Sequence, residues 1–299
     1  MLKRISFIIA ALCMVQLSLA QPTLPIAKSE EVKPLTELHS EKLRKLLKTE
    51  LCNNPTWKRL INNKKMTVGL VDLSDLNNVR YAGINDDHMM YAASLPKIAI
   101  LLAAMDAMEE GVLEETPEVI EDLTLMIRKS NNQASTRMID RLGYDRIEAT
   151  LRNPKYKLYD EEEGGGLWVG KRYAAGGLRH PEPMKGLSHA ATTRQVSNFY
   201  YMLAMGELVS KERSEQMLEI MVDPGLHHKF VNTLDRIAPK AKLYRKSGSW
   251  RNYHSDSALV WGPNRRYIIV VLVDDAYGEQ IMRRVVRPLE NVIKKSHQL

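Results

Sequence analysis

The sequence predicts an α+β fold: an antiparallel sheet flanked by helices and completed by both ends of the chain, with an all-helical lobe inserted between the ends. Three observations predict it. Strand-like runs occur at 66–84 and again at 242–274, helical periodicity fills most of the interval between them, and the composition is that of an ordinary globular chain. With 299 residues, 44% of them hydrophobic and 26% charged, the chain can bury a large core, and disordered or collagen-like classes are excluded. A cleft between sheet and lobe is the natural place for chemistry.

At the N-terminus Lys3 and Arg4 precede an apolar run from 5 to 19, and Ser18 and Ala20 supply small residues before Gln21. Residues 1–20 therefore read as a signal peptide cleaved after Ala20, which predicts a periplasmic or secreted protein with no integral membrane span after cleavage. An uncleaved anchor is the alternative, and Leu12 before Cys13 is too bulky for the usual lipoprotein site. Removing Lys3 and Arg4 with the signal leaves 41 basic against 36 acidic side chains, a formal +5. The excess is scattered, without a basic stripe interleaved with aromatics, so no nucleic acid partner is expected. The mature chain keeps one cysteine, Cys52, which reads as a structural thiol and cannot form an internal disulfide.

Residues 21–34, with prolines near both ends, read as an extended leader, and 35–299 as the catalytic domain. Leucines at 35, 38, 43, 46, 47 and 51 predict one helix over 35–51. MTVGLVDL (66–73) and NVRYAGI (78–84) read as paired strands, and a helix starting at Ser94 follows them. The pattern is helical over 116–151, then 153–188 is a long loop rich in Gly, Pro and charge. Helices are predicted at 192–208 and 211–221, strands in AKLYRKSGSW, SALVW and RYIIVVLVDD, and a last amphipathic helix at 278–295.

Three short motifs stand out. In YAASLPK, Ser94 precedes Lys97 by three residues at the mouth of an otherwise apolar helix. Taken alone it reads as a serine cap and a solvated lysine, because one S-x-x-K is expected by chance in a chain of this length. Ser130-Asn131-Asn132 interrupts a helical pattern, and Lys246-Ser247-Gly248 ends a strand-like run. Singly, these read as a cap and a hairpin corner. Each motif occurs once, in the order S-x-x-K, S-x-N, K-S-G. The chemistry of the first is direct: serine is a weak nucleophile that needs a base, and burial at a positive helix N-terminus disfavours the ammonium form of a lysine.

Together these motifs resemble those of the penicillin-recognising serine enzymes, the class A β-lactamases and D,D-peptidases, with the class A side closer. SNNQASTRMIDRLG, ATTRQVSNFYYMLAMGELVS and RKSGSW…SALVW…RRYIIVVLV extend the likeness over most of the mature chain. The resemblance implies a β-lactamase/transpeptidase-like fold and acyl transfer from a β-lactam or peptidoglycan-type peptide to Ser94, in a monomer, with no metal and no other cofactor. It implies that Lys97 and Ser130 move protons and that Asn132 holds the substrate's amide side chain. Lys246 and Ser247 would face the substrate carboxylate, Gly248 would allow close approach, and the N–H groups of Ser94 and Ser249 would form an oxyanion hole. Arg251 and His254 both fall near where such enzymes often place an arginine for that carboxylate.

Two departures matter. The interval between Ser94 and Ser130 is shorter than class A enzymes carry, and the 153–188 loop is longer. Class A enzymes release the acyl group with a water activated by a glutamate in E-x-x-L-N, and this chain has no such motif. Glu161, Glu162 and Glu163 stand about where it belongs, as candidate bases or as a solvated turn. Trp168, Lys171, Arg172, Tyr173 and Arg179 make the rest of the loop either a lid over the cleft or a packed insertion. Three functions stay open: a β-lactamase-type hydrolase, a penicillin-binding D,D-peptidase or other amide or ester hydrolase with slow turnover, and a non-catalytic cell-wall-binding protein. His227 and His228 lack a spaced third ligand for a metal.

Overall fold

The predicted helix over 35–51 breaks at His39. Leu35–Leu38 form a short 3-10 turn, and Ser40 then caps α1 (Glu41–Cys52) by accepting a hydrogen bond from the Leu43 N–H. In this computed structural model, which describes residues 22–26 and 32–298, the expected signal peptide lies outside the described residues. Asn54 caps α2 (Pro55–Asn62), with Pro55 at the first helical position, where its missing N–H leaves nothing unsatisfied. Strands β1 (Met66–Asp72), β2 (Arg80–Ile84) and β3 (Met90–Tyr91) follow, then helix α3 (Lys97–Glu109).

The helical pattern over 116–151 resolves into α4 (Pro117–Arg128), α5 (Asn132–Leu142) and α6 (Tyr144–Arg152). Ser130 at φ +55 and Gly143 at φ +75 make the two breaks, both in backbone conformations a helix cannot continue through. The long loop is not structureless. It contains β4 (Tyr159–Asp160), β5 (Gly165–Gly166) and β6 (Trp168–Val169) before β7 (His189–Ala191). Helices α7 (Thr193–Met205), α8 (Lys211–Met221) and α9 (Phe230–Ile237) lead to β8 (Lys242–Trp250), β9 (Tyr253–Gly262), β10 (Arg265–Asp274) and the last helix α10 (Gly278–Gln298).

The main sheet is antiparallel with strand order β2-β1-β10-β9-β8, so both ends of the chain complete it as predicted. Strand β10 shows why it is central. Tyr267, Ile269, Val271 and Val273 enter one core with α1, α2, α9 and α10, while Ile268, Val270 and Leu272 enter the other with α3 and α7. A strand covered on both faces must be apolar at every position, which is how RYIIVVLV reads. The second core is organised around α3, which is buried continuously from Lys97 to Met105. A helix apolar all round belongs at the centre of a lobe, and the buried run of this one carries its one charge, Lys97, at the first position, with Asp106 and Glu109 only in the last turn. Among the described residues, no helix is long and apolar enough to cross a membrane.

Candidate active site

Strand β8 is an edge strand, and its open side meets the turn before α3. A Cβ on Gly248 would stand 2.4 Å from the Ala92 carbonyl oxygen and 2.5 Å from the Ser94 nitrogen, so glycine is required for the two backbones to approach. The Ser255 hydroxyl, reaching from β9, donates to the same Ala92 oxygen at 2.8 Å. Ser94 itself lies outside the helix, unlike the sequence expectation. Bonds from Leu95 N to Ala92 O, Lys97 N to Ser94 O and Ile98 N to Leu95 O make successive three-residue-spaced turns leading into α3, the first with Ala93 at φ +51. Left-handed backbone at Ala93 and Ser130 marks two strained positions at one site, a pattern typical of functional centres.

Lys97 is fully buried. Its Nζ donates to Ser130 O at 2.7 Å and to Asn132 Oδ1 at 2.9 Å, with Ser130 Oγ and Asn131 O further off at 3.4 Å. Lys246 Nζ donates to Ser130 Oγ at 2.9 Å and to the Ser247 carbonyl at 2.8 Å. The Ser130 hydroxyl is thus held between two buried lysines. Burial pushes Lys97 down to about 7, and pushes Lys246 well below the ordinary lysine range, with Lys97 and Arg245 adding repulsion. All three motifs meet here: Asn132 opens α5, Ser247 is buried on β8, and Ser249 is exposed with its Oγ 3.4 Å from His254 Nδ1.

Two neighbours adjoin the site: Tyr173, from the loop read as a lid or a packed insertion, and Lys229, which escaped the sequence reading. The Tyr173 ring lies 4.4 Å from Lys97 Nζ, and its hydroxyl donates to the Ala93 carbonyl at 3.2 Å. Although the residue is only half-buried, its hydroxyl end is enclosed, which pushes the phenol well above its ordinary range. Tyr173 also leans on His189, at 4.3 Å between centroids, and His189 is bonded to the Lys171 carbonyl at 3.0 Å. The second neighbour is Lys229, fully buried, whose Nζ donates to Gly248 O at 2.5 Å and Ser255 O at 3.0 Å. Burial holds it down at about 8. The adjoining Arg245–Asp256 pair, at 2.7 Å and completely buried, fixes β8 to β9 below the site.

The remaining candidates are placed elsewhere. Glu161 pairs with Arg152 at 2.8 Å, Glu162 lies on the exposed turn, and Glu163 accepts from Gln195 at 3.2 Å. None of the three is among the hydrogen-bond partners of Lys97 or Ser130. Trp168 is core rather than lid, with its Nε1 donating to His180 O at 2.7 Å. Arg251 is exposed and lies over the Trp250 ring at 4.2 Å, whereas half-buried His254 sits beside Ser249. Cys52 packs half-buried against the core, and His227 is bonded to Asp235 at 2.7 Å. Among the described residues no three His, Cys, Asp or Glu side chains gather as a metal site.

Comparison with known proteins agrees with this fold. No curated protein matches the chain. A mutant of PBP-A in an acyl-enzyme complex with penicillin-G has a TM-score of 0.64 at 21% identity, over 88% of this chain and 100% of that one. A β-lactamase from Sphaerobacter thermophilus gives 0.62 at 16% identity over 77% and 92%. A β-lactamase from Xanthomonas campestris pv. campestris gives 0.65 at 14% identity over 84% and 98%. At these identities the likeness is one of fold. The sequence match is the stronger bond: with residues 55–122 and 114–293 both matching it, the chain belongs to the beta-lactamase enzyme family, Beta-lactamase2.

Proposed function

We propose that this β-lactamase-like serine hydrolase acts by acyl transfer from a β-lactam or peptide-type amide to Ser94. The observation that carries the reading is the Ser130 hydroxyl held between Lys97 and Lys246, beside a turn that Gly248 brings against the sheet edge. A neutral lysine has two hydrogens and one lone pair. Ser130 O and Asn132 Oδ1 take the hydrogens, which leaves the lone pair to receive the Ser94 proton as Oγ bonds to the carbonyl carbon. The tetrahedral oxyanion is bound by the N–H groups of Ser94 and Ser249. When the C–N bond breaks, Ser130 passes a proton to the leaving nitrogen and is resupplied from the lysines. Lys246 and Ser247 receive the substrate carboxylate, and Asn132 its amide side chain. The scheme calls on no metal or organic cofactor.

Release of the acyl group is slow in this proposal. Hydrolysis needs a base to activate water, and among the described residues the hydrogen-bond partners of Lys97 include no carboxylate, while the Tyr173 ring stands 4.4 Å from its Nζ. The acyl-enzyme therefore persists as in a penicillin-binding protein or awaits an amine acceptor. We further propose that residues 1–20 direct export, so that 35–299 meets its substrate outside the cytoplasm.

Intact-mass spectrometry of the protein with benzylpenicillin, run beside loss of free β-lactam, tests the reading. A lasting adduct on Ser94 that is absent from Ser94→Ala supports it. A transient adduct with many turnovers overturns the slow release, and no adduct overturns the acyl transfer.

A further inference from the structure

An open cavity of about 640 Å³ adjoins the site on the far side of Tyr173. Its floor is Tyr173 and His189, so a single side chain separates it from Lys97 Nζ. One wall is Tyr91 and Trp250, with ring centroids 5.5 Å apart, and Trp250 is 47% exposed. Trp250 directly follows Ser249 on β8, and Tyr91 is three residues before Ser94, so the cavity opens beside the reacting groups. The lining also includes Lys171, Arg172 and Arg179, and no carboxylate lines the cavity.

Those charges are unevenly satisfied. Arg172 is paired with Asp140 at 2.6 Å. Lys171 and Arg179 have no ion-pair partner among the described residues, yet they stand directly opposite each other in an antiparallel bridge. Residues opposite in such a bridge project to the same face, and like charges so placed repel. A fourth cation, Arg251, covers the Trp250 ring from the solvent side at 4.2 Å. Two aromatic side chains and two unpaired cations lining one cavity suit a group that is flat and apolar at one end and anionic at the other.

We infer that this cavity is a subsite for an anionic arm of the acyl donor: an aromatic or apolar group against Tyr91 and Trp250, bearing a carboxylate that Lys171 and Arg179 bind. The inference rests on acyl transfer to Ser94 and names the substrate class that the site prefers. The anion removes the repulsion across the bridge and draws like substrates in from solution.

A matched pair of probes tests it. Carbenicillin differs from benzylpenicillin by one carboxylate on the side arm, and second-order acylation of Ser94 by each is followed by intact mass. The expected ratio favours carbenicillin by roughly tenfold, one well-made charge contact, and shrinks as salt is raised. In Lys171→Gln/Arg179→Gln the ratio falls toward one. A ratio near or below one in the native protein, or a preference that survives the double substitution, overturns the subsite while leaving acylation intact. Failure of both probes to label Ser94 overturns the acyl-transfer reading and the subsite with it. Quenching of Trp250 fluorescence by phenylmalonate, but not by phenylacetate, in Ser94→Ala reports the same subsite without any covalent step, and equal or absent quenching counts against it.

Discussion

The Tyr173 ring stands 4.4 Å from the Lys97 amine, the two residues are 76 positions apart, and among the described residues Lys97 has no acidic partner. An aromatic face attracts a cation weakly and offers no proton acceptor. The pairing therefore covers the lysine without making a base for water.

Replacing that ring with a carboxylate is expected to shorten the acyl-enzyme. Tyr173→Glu should raise the rate of adduct loss by about 10- to 100-fold, within the usual range for a positioned general base, while Tyr173→Phe should leave it near the native value. Time-resolved intact mass checks both. Equal lifetimes for Glu and native protein would remove Tyr173 from the account of slow release.

Lys97 sets the pH dependence. Its amine is pushed down to about 7 by burial, so acylation should climb through that pH as the neutral base accumulates, and Lys97→Met should lose at least about 1000-fold. Stability carries a signature of the same sign over a higher pH window. The unfolded chain holds the Lys97 proton up to its ordinary pKa near 10.5, so the native protein gains stability as pH rises from about 7 toward that value. Any advantage of Lys97→Met in thermal unfolding should thus be largest at pH 6 and shrink by pH 9, by an amount on the order of a few kcal/mol.

Gly248 and Lys229 hold the strand against the reactive turn. Gly248→Ala drives a methyl into the Ala92 carbonyl and Ser94 nitrogen, and should cost about 1–3 kcal/mol of stability with acylation falling more than tenfold. Lys229→Met leaves the Gly248 and Ser255 carbonyls without their buried donor, for a loss of about 2–3 kcal/mol. Denaturant unfolding and benzylpenicillin labelling separate the two effects.

The glutamate run should be silent in chemistry. Glu161→Gln and Glu163→Gln exchange contacts to Arg152 and Gln195, away from Lys97, and adduct lifetimes should stay within about twofold of native. A tenfold change in either would return a base to the loop.

The parts of the site visible in sequence are those carried by short motifs. Ser94, Lys97, Ser130 and Lys246-Ser247-Gly248 are legible only together, because each motif alone reads as a cap or a corner and their order is what points to one site. Tyr173 is legible only as part of a loop read as lid or packed insertion, and Lys229 gives no sign, because each meets its backbone or amine partner only through tertiary folding. The glycines after Glu163 were equally opaque. They read as turn, yet Gly166 pairs with Tyr159 where a Cβ would fall 2.0 Å from the Leu158 carbonyl oxygen. Between the lid and the packed insertion that the loop allowed, Trp168 is the packed one, because its indole N–H finds the His180 carbonyl inside the insertion. The sheet was legible because strands buried on both faces leave long apolar runs, whereas the break at His39 depends on a cap at Ser40 that periodic leucines mask.

The ladder between β1 and β10 pairs Met66 with Val273, more than two hundred residues apart. Contacts that distant close slowly and late. The helical lobe can gather its own core while the chain is still emerging, and the turn that presents Ser94 already meets His189 and Tyr173 there, but its contacts with Gly248 and Ser255 wait for β8 and β9. Under the acyl-transfer proposal reactivity is timed by the fold itself: a nascent or truncated chain that lacks the last three strands also lacks Lys246 and the sheet edge, and its serine is expected to stay unlabelled.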